Sequence, residues 1–153
     1  MTDARHPRLA HPDARRPRLL LPAAALAAAA LLSALAMPQG AARAEDDQAK
    51  LMKDGARSFN KCKACHNLVS GPKRMGPDLK GLFGRKAGTY EGYDKYSDAM
   101  KASGIVWDDE TLAAYLENPK KVVPKGSMAF AGIRKESELT ALLAYLKAET
   151  AAP

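Results

Sequence analysis

The sequence predicts an all-α domain in which a few helices are joined by long loops. Three observations point there. Apolar residues recur at three- and four-residue steps at both ends of the region after residue 45. The chain has no long alternating apolar run of the kind a half-buried strand leaves. Between those ends, residues 67–94 hold Gly71, Pro72, Gly76, Pro77, Gly81, Gly84, Gly88 and Gly92, which is too much punctuation for long elements. Leu79, Leu82, Phe83 and Tyr90 are interspersed there, so these loops are expected to wrap something apolar.

Residues 1–18 hold Arg5, Arg8, Arg15, Arg16 and Arg18 against Asp3 and Asp13. From Leu19 to Ala36 the chain is almost wholly apolar, and Ala42-Arg43-Ala44 then gives an A-x-A site ahead of Glu45-Asp46-Asp47. A basic start, an apolar middle and a small-residue end describe a secretory signal peptide. Residues 1–44 are therefore expected to be a leader cleaved after Ala44, with residues 45–153 as the mature domain. An uncleaved anchor is the competing reading, although an apolar run of about 18 residues is at the short edge for crossing a bilayer. The pair Arg15-Arg16 hints at a twin-arginine signal, but an Arg-rich start holds such pairs by chance. The whole chain of 153 residues has a formal charge of +7. Without the leader it keeps 18 Lys+Arg and 15 Asp+Glu, a formal charge near +3. A chain of this size makes one domain with a modest core.

In the mature region, Ala49, Met52, Ala56 and Phe59 put one face of a first helix together. Gly55 sits inside that pattern, where glycine costs about 1 kcal/mol relative to alanine. A second helix crossing closely would explain it. The helix runs into Cys62-Lys63-Ala64-Cys65-His66, the C-x-x-C-H pattern of covalent c-type haem attachment. Two thiols add to the two vinyl groups of the macrocycle, and the adjacent imidazole reaches the iron. A thioredoxin-like pair would need a strand before it, and nothing strand-like precedes Cys62. A structural zinc site needs four ligands, and His6 and His11 lie far upstream. A disulfide across two intervening residues would be strained. Haem attachment also agrees with export, because the thiols are handled outside the cytoplasm.

Beyond the loops, Tyr96 to Ala102 is expected to form a short helix and Ile105-Val106-Trp107 an extended piece. Asp108 reads as an N-cap, with Asp109 and Glu110 near the positive end of the dipole. Leu112, Tyr115 and Leu116 give that helix its buried stripe, and Pro119 stops it. Residues 120–134 read as another loop. The last helix is the clearest: Ser137 can cap it, and Leu139, Leu142, Leu143 and Leu146 follow helical spacing. Aromatics are few, so a buried haem would supply much of the interior, and the haem-free chain is expected to fold poorly.

From Gly55 to Lys147 the chain resembles the class I cytochrome c family, close to mitochondrial cytochrome c and its soluble bacterial relatives. Phe59 before CKACH, GPDLKGLFGRKAG at 76–88, GIVW at 104–107, TLAAYLENPKK at 111–121, MAFAGI at 128–133 and LLAYLK at 142–147 carry the resemblance. It implies a small class I cytochrome c fold of about four to five helices, with loops wrapped around one covalently bound haem c. It also implies Met128 as the second axial ligand to iron opposite His66. Met52, Met75 and Met100 are the competing thioethers: Met52 reads as core, and Met75 is only nine residues past His66. His/Met ligation raises the haem potential.

Other positions match singly. Pro77 matches the proline whose carbonyl accepts the His66 N–H. Arg85, Tyr96 and Trp107 match residues that donate to a buried propionate or its waters. Tyr115 matches the tyrosine beside the methionine sulfur, and Phe130 the aromatic at the exposed haem edge. Gly55 and Tyr145 match the crossing of the first and last helices. Ordinary packing is compatible with the roles of Tyr115, Phe130 and Tyr145. Some positions depart from the family. Lys125-Gly126-Ser127 stands where Gly-Thr-Lys is usual, Met100 stands where asparagine is common, and the loop from Asn67 to Met75 lacks a frequent second histidine.

The resemblance implies a one-electron carrier and no enzyme, since both axial positions would be filled. It implies a periplasmic monomer that meets acidic-faced redox partner proteins, such as a quinol–cytochrome c reductase complex and a terminal oxidase or photosynthetic reaction centre. Lys61, Lys63, Lys73, Lys86, Lys120, Lys121 and Lys125 match the lysines around the haem edge, where they would steer such partners. Membrane contact is expected only through those partners or an uncleaved leader, and nucleic-acid binding is not expected. The competing functions are a haem peroxidase or dehydrogenase subunit, a membrane-tethered carrier, and a haem-based ligand sensor.

Overall fold

A computed structural model describes residues 39–151. Most of the expected leader, residues 1–38, lies outside the described residues. Five helices follow in order: α1 (Gln39–Phe59), α2 (Asp98–Ala102), α3 (Asp109–Glu117), α4 (Pro119–Val122) and α5 (Glu136–Glu149). Among the described residues there is no strand, and a single antiparallel bridge joins Lys86 to Val106. The expected all-α class with its long loops is what is found.

Helix α1 is rich in strong helix formers, and Lys50–Asp54 and Asp54–Arg57 pairs, both at 3.1 Å, support its exposed side. It packs against α5. At the crossing, a Cβ on Gly55 would run into the Ala141 carbonyl oxygen and Tyr145 Cβ. The glycine is therefore set by the approach of the two helices, as expected. Phe59 completes the contact, its ring centroid 6.0 Å from that of Tyr145. The buried face is only partly the one expected. Gly55, Ser58 and Phe59 are buried, whereas Ala49 is exposed and Met52 is only half-buried. Close approach selects the small residues, and apolar periodicity alone points a residue to the side of them.

Helix α3 begins as expected. Asp108 accepts from the Thr111 amide at 2.8 Å while the Thr111 hydroxyl accepts from the Asp108 amide at 2.9 Å, a reciprocal cap. Its stripe of Leu112, Tyr115 and Leu116 is buried. Pro119 does end α3, but it also opens α4, a four-residue helix within the stretch read as loop. Asn118 caps it through Lys121 N at 3.1 Å, with proline at the first position, where its missing N–H has no cost. A helix this short leaves no periodic signal.

Helix α2 starts two residues later than expected, because Ser97 is extended and caps it through Met100 N. The expected cap at Ser137 is wrong. The chain enters α5 at Glu136 from an extended Lys135 that makes no side-chain cap bond, and Ser137 is exposed in the first turn. Leu142 and Leu146 are buried, with Leu139 and Leu143 half-buried beside them.

The core joins Phe59, Leu82, Ala87, Trp107, Leu112, Tyr115, Leu116, Val123, Ile133, Leu142 and Leu146. The glycine-rich loop is stitched to it through the backbone. Gly84 N donates to Trp107 O at 2.7 Å, Ala87 N to Ile105 O at 2.8 Å, and Gly81 N to Thr150 O at 2.6 Å.

Candidate functional site

The CKACH segment is wound as tight turns that continue α1. Cys62 N bonds Phe59 O at 2.8 Å, and Cys65 N and His66 N both bond Cys62 O at 2.9 Å. This winding sets Cys62, Cys65 and His66 half-buried along the margin of the core. The two cysteines are not joined to each other in a disulfide. Burial pushes the Cys62 thiol up to about 11, with Lys61 opposing and Cys65 reinforcing the rise. A thiol-redox pair needs the opposite, a thiolate at neutral pH.

His66 is fixed from behind. Its Nδ1 lies 2.7 Å from the Pro77 carbonyl oxygen. A carbonyl only accepts, so Nδ1 carries the proton and Nε2 is left with its lone pair free for a metal. Burial lowers the imidazolium pKa, while the Pro77 carbonyl and the Asp78 carboxylate act the other way. Gly76 explains how the two segments come so close: a Cβ there would lie 2.5 Å from His66 Cε1 and 2.9 Å from either ring nitrogen. Backbone bonds from Gly76 N to Cys65 O and from Leu79 N to Asn67 O, both 2.9 Å, lock the arrangement. In the sequence Gly76 reads as loop punctuation and as the start of the GPDLKGLFGRKAG match, and neither says that it packs on the histidine ring.

Met128 lies in the irregular segment between α4 and α5 and packs half-buried against the core. The buried Tyr115 hydroxyl donates to its sulfur at 3.5 Å. Burial pushes that phenol up to about 12, so it stays a donor through the neutral range. The competing methionines fare worse. Met75 is 75% exposed, Met52 sits on the flank of α1, and Met100 packs against the core with no hydroxyl on its sulfur among the hydrogen bonds of the described residues.

Arg85 donates to Lys80 O at 2.7 Å and to Asp78 O at 3.3 Å, with its guanidinium 4.8 Å above the Tyr90 ring. Its backbone carbonyl accepts from Trp107 N at 3.0 Å. Trp107 is buried against Tyr115 with ring centroids 5.0 Å apart. Tyr96 is half-buried, edge-on to Tyr93 at 4.8 Å. Burial raises its phenol and lowers the Arg85 guanidinium, and each partly offsets the shift of the other by its charge. These three expected residues therefore share one neighbourhood. Phe130 is half-buried at the core margin, whereas Ser127, the only candidate to replace the usual threonine, is exposed. All seven matching lysines are exposed. Lys61 is bonded to Glu138 at 2.5 Å and Lys120 to Gly126 O at 2.5 Å. A charged, open cleft of about 560 Å³ between α1 and α5, lined by Asp54, Ser58, Lys61 and Glu138, contains none of CKACH or Met128.

A family model described as cytochrome c matches residues 52–149. The chain belongs to the cytochrome c family. It is 46% identical to cytochrome c2 iso-2 of Magnetospirillum fulvum over 94 residues, 61% of this chain and 97% of that protein. It is 50% identical to cytochrome c-550 of Nitrobacter winogradskyi over 93 residues, 60% and 84% of the two chains. With cytochrome c of Arabidopsis thaliana it shares 48% over 100 residues, 64% and 88%.

As a member of this family the protein carries one covalent haem c, and the residues present fit it. Two cysteines that share no disulfide precede a histidine whose outer nitrogen is free. Leu68, Leu79, Phe83, Met100, Met128 and Phe130 are apolar and only half-buried against the core, a margin that an apolar macrocycle would cover. The haem supplies one-electron iron chemistry, and the protein is a haem-containing electron carrier.

Proposed function

We propose that this cytochrome is an exported soluble one-electron carrier whose haem is attached through Cys62 and Cys65 and ligated by His66 and Met128. The observation that carries the reading is the pair of oriented ligands. His66 is held by Pro77 with Nε2 free, and the Met128 sulfur is held by Tyr115. Each side chain has a hydrogen-bond partner that does not depend on iron, which suits a centre that changes charge with little rearrangement. Pro77 keeps the His66 tautomer, and Tyr115 withdraws density from the sulfur while leaving its other lone pair free. Arg85, Tyr96 and Trp107 form the polar neighbourhood for the propionates, and Phe130 closes the edge. With two protein ligands, no position stays open for oxygen or a small substrate, so this account contains no enzymatic step.

Export rests on the leader. Cleavage after Ala44 would trim the first six residues of α1; residues 42–50 are exposed, and partial burial follows from Leu51. The packed part of the helix would be untouched. Among the described residues no helix is long and apolar enough to cross a membrane. We place the carrier in the periplasm, moving electrons between acidic-faced complexes such as a quinol–cytochrome c reductase and a terminal oxidase or reaction centre.

Lysine-guided encounter is fast, weak and screened by salt. The test combines mass spectrometry of the exported protein with stopped-flow oxidation by an acidic redox protein across ionic strength. A mature chain starting at Glu45 with one haem, oxidised at rates that fall as salt rises, supports the reading. A retained leader would replace it with a tethered carrier, and salt-independent rates would remove the lysine surface from the account.

A further inference from the structure

The loop behind His66 holds a charge that none of the preceding steps uses. Asp78 directly follows Pro77, and its half-buried carboxylate has a separate donor on each oxygen. Asn67 Nδ2 donates to Oδ1 at 2.7 Å, and the Tyr90 hydroxyl donates to Oδ2 at 3.3 Å. Asn67 is itself held, donating to Pro72 O at 3.1 Å and accepting from Arg74 Nε at 2.5 Å. Asn67 follows His66, and Asp78 follows the residue that holds the His66 ring. The side-chain bond between them therefore closes a second clamp around the ligand, beside the backbone bonds.

We propose that Asp78 is a positioning residue for the electron-transfer centre: its carboxylate clamps the loop that orients His66 and, as a fixed negative charge behind that ligand, lowers the haem reduction potential. The inference rests on the His66/Met128 reading. The ferric centre carries one more positive charge than the ferrous one, so a nearby carboxylate favours the ferric form. Half-burial limits screening by water and salt. Asp78 directly follows Pro77, whose carbonyl lies 2.7 Å from His66 Nδ1, so its charge sits in the segment that contacts the ring. Arg85 is the opposing charge. Its guanidinium bonds the Asp78 backbone carbonyl at 3.3 Å and lies over Tyr90. Neutralising Asp78 removes the negative charge that opposes Arg85, and this single change moves the potential upward.

The test is the midpoint potential of wild-type, Asp78→Asn and Tyr90→Phe holo-proteins, with the ferric sulfur-to-iron band and ferrous CO binding recorded on the same samples. Asparagine keeps the shape and can still accept from Asn67. Removing the Tyr90 donor leaves the carboxylate charge less neutralised. The expected result is an upward shift in Asp78→Asn with no upward shift in Tyr90→Phe. A loop that is merely loosened would move both variants the same way, and that pattern, or an unshifted Asp78→Asn, overturns the proposal. If Asp78→Asn yields no holo-protein, only a downward shift in Tyr90→Phe supports it. A wild-type protein without the sulfur band overturns the ligation reading and this inference with it. An intact band with an unshifted Asp78→Asn overturns the inference alone.

Discussion

The two sides of the proposed haem site are built differently. The His66 side is a closed unit: turns from Phe59 to His66, two backbone bonds from residues 76 and 79, the Pro77 contact and the Asn67–Asp78 bond all constrain one ring. The Met128 side is an irregular segment, with one 3.5 Å hydroxyl–sulfur contact on the side chain and backbone bonds only at its ends, from Gly126 N to Val123 O and from Ile133 N to Leu116 O. An anchor made at synthesis needs a rigid frame. On the proposed ligation Met128 is a soft, reversible ligand carried on a loop, and its loss should be the first local opening of the molecule.

Breaking the rigid side should have the largest effect. His66→Ala is expected to yield no stable low-spin holo-protein, and recovery of a normal low-spin spectrum would overturn the assignment of that ligand. Met128→Ala should leave haem attached while lowering the potential and opening the ferrous iron to CO, read by redox titration and CO difference spectra. Unchanged spectra would mean another thioether holds the iron. Gly76→Ala sharpens the comparison, because it inserts a methyl group against the His66 ring. Overpacking of this kind costs about 1–3 kcal/mol, and denaturant unfolding of the holo-protein should show it.

Tyr115→Phe should be mildest, removing one weak contact worth about 1 kcal/mol at neutral pH. Its pH dependence has a definite sign. Burial holds the phenol up at about 12 against an ordinary 10, so its contribution is complete below pH 10 and is lost as pH rises toward 12. The wild type should therefore lose more stability than Tyr115→Phe between pH 10 and 12, and equal losses would show that the buried phenol is not a source of alkaline instability.

The same contrast explains what could be read before folding. CKACH, the Asp108 cap and the leucine spacing of α5 are local patterns whose chemistry is complete within a few residues. Gly55 was legible as a misfit in a helix that only a close crossing could justify. Local information failed where the third dimension decided. Helix α4 is too short to be periodic, Ser137 was bypassed by an extended Lys135, and Met52 lost its place at the crossing to smaller residues. Gly76 and Asp78 belong to the GPDLKG match, but their contacts with His66 and Asn67 appear only when the chain returns past His66. At the site, the family bears out the fold class and the single covalent haem c, while the Asn67–Asp78 bond behind the histidine joins two residues that the sequence alone does not pair.

The most direct measurement is the visible and far-red spectrum of the exported holo-protein, ferric and then ferrous, with and without CO. His66/Met128 ligation predicts a low-spin c-type spectrum, a ferric sulfur-to-iron band and no response to CO. A high-spin spectrum or ready CO binding in the native protein would contradict it and leave an open iron, as an enzyme or sensor requires.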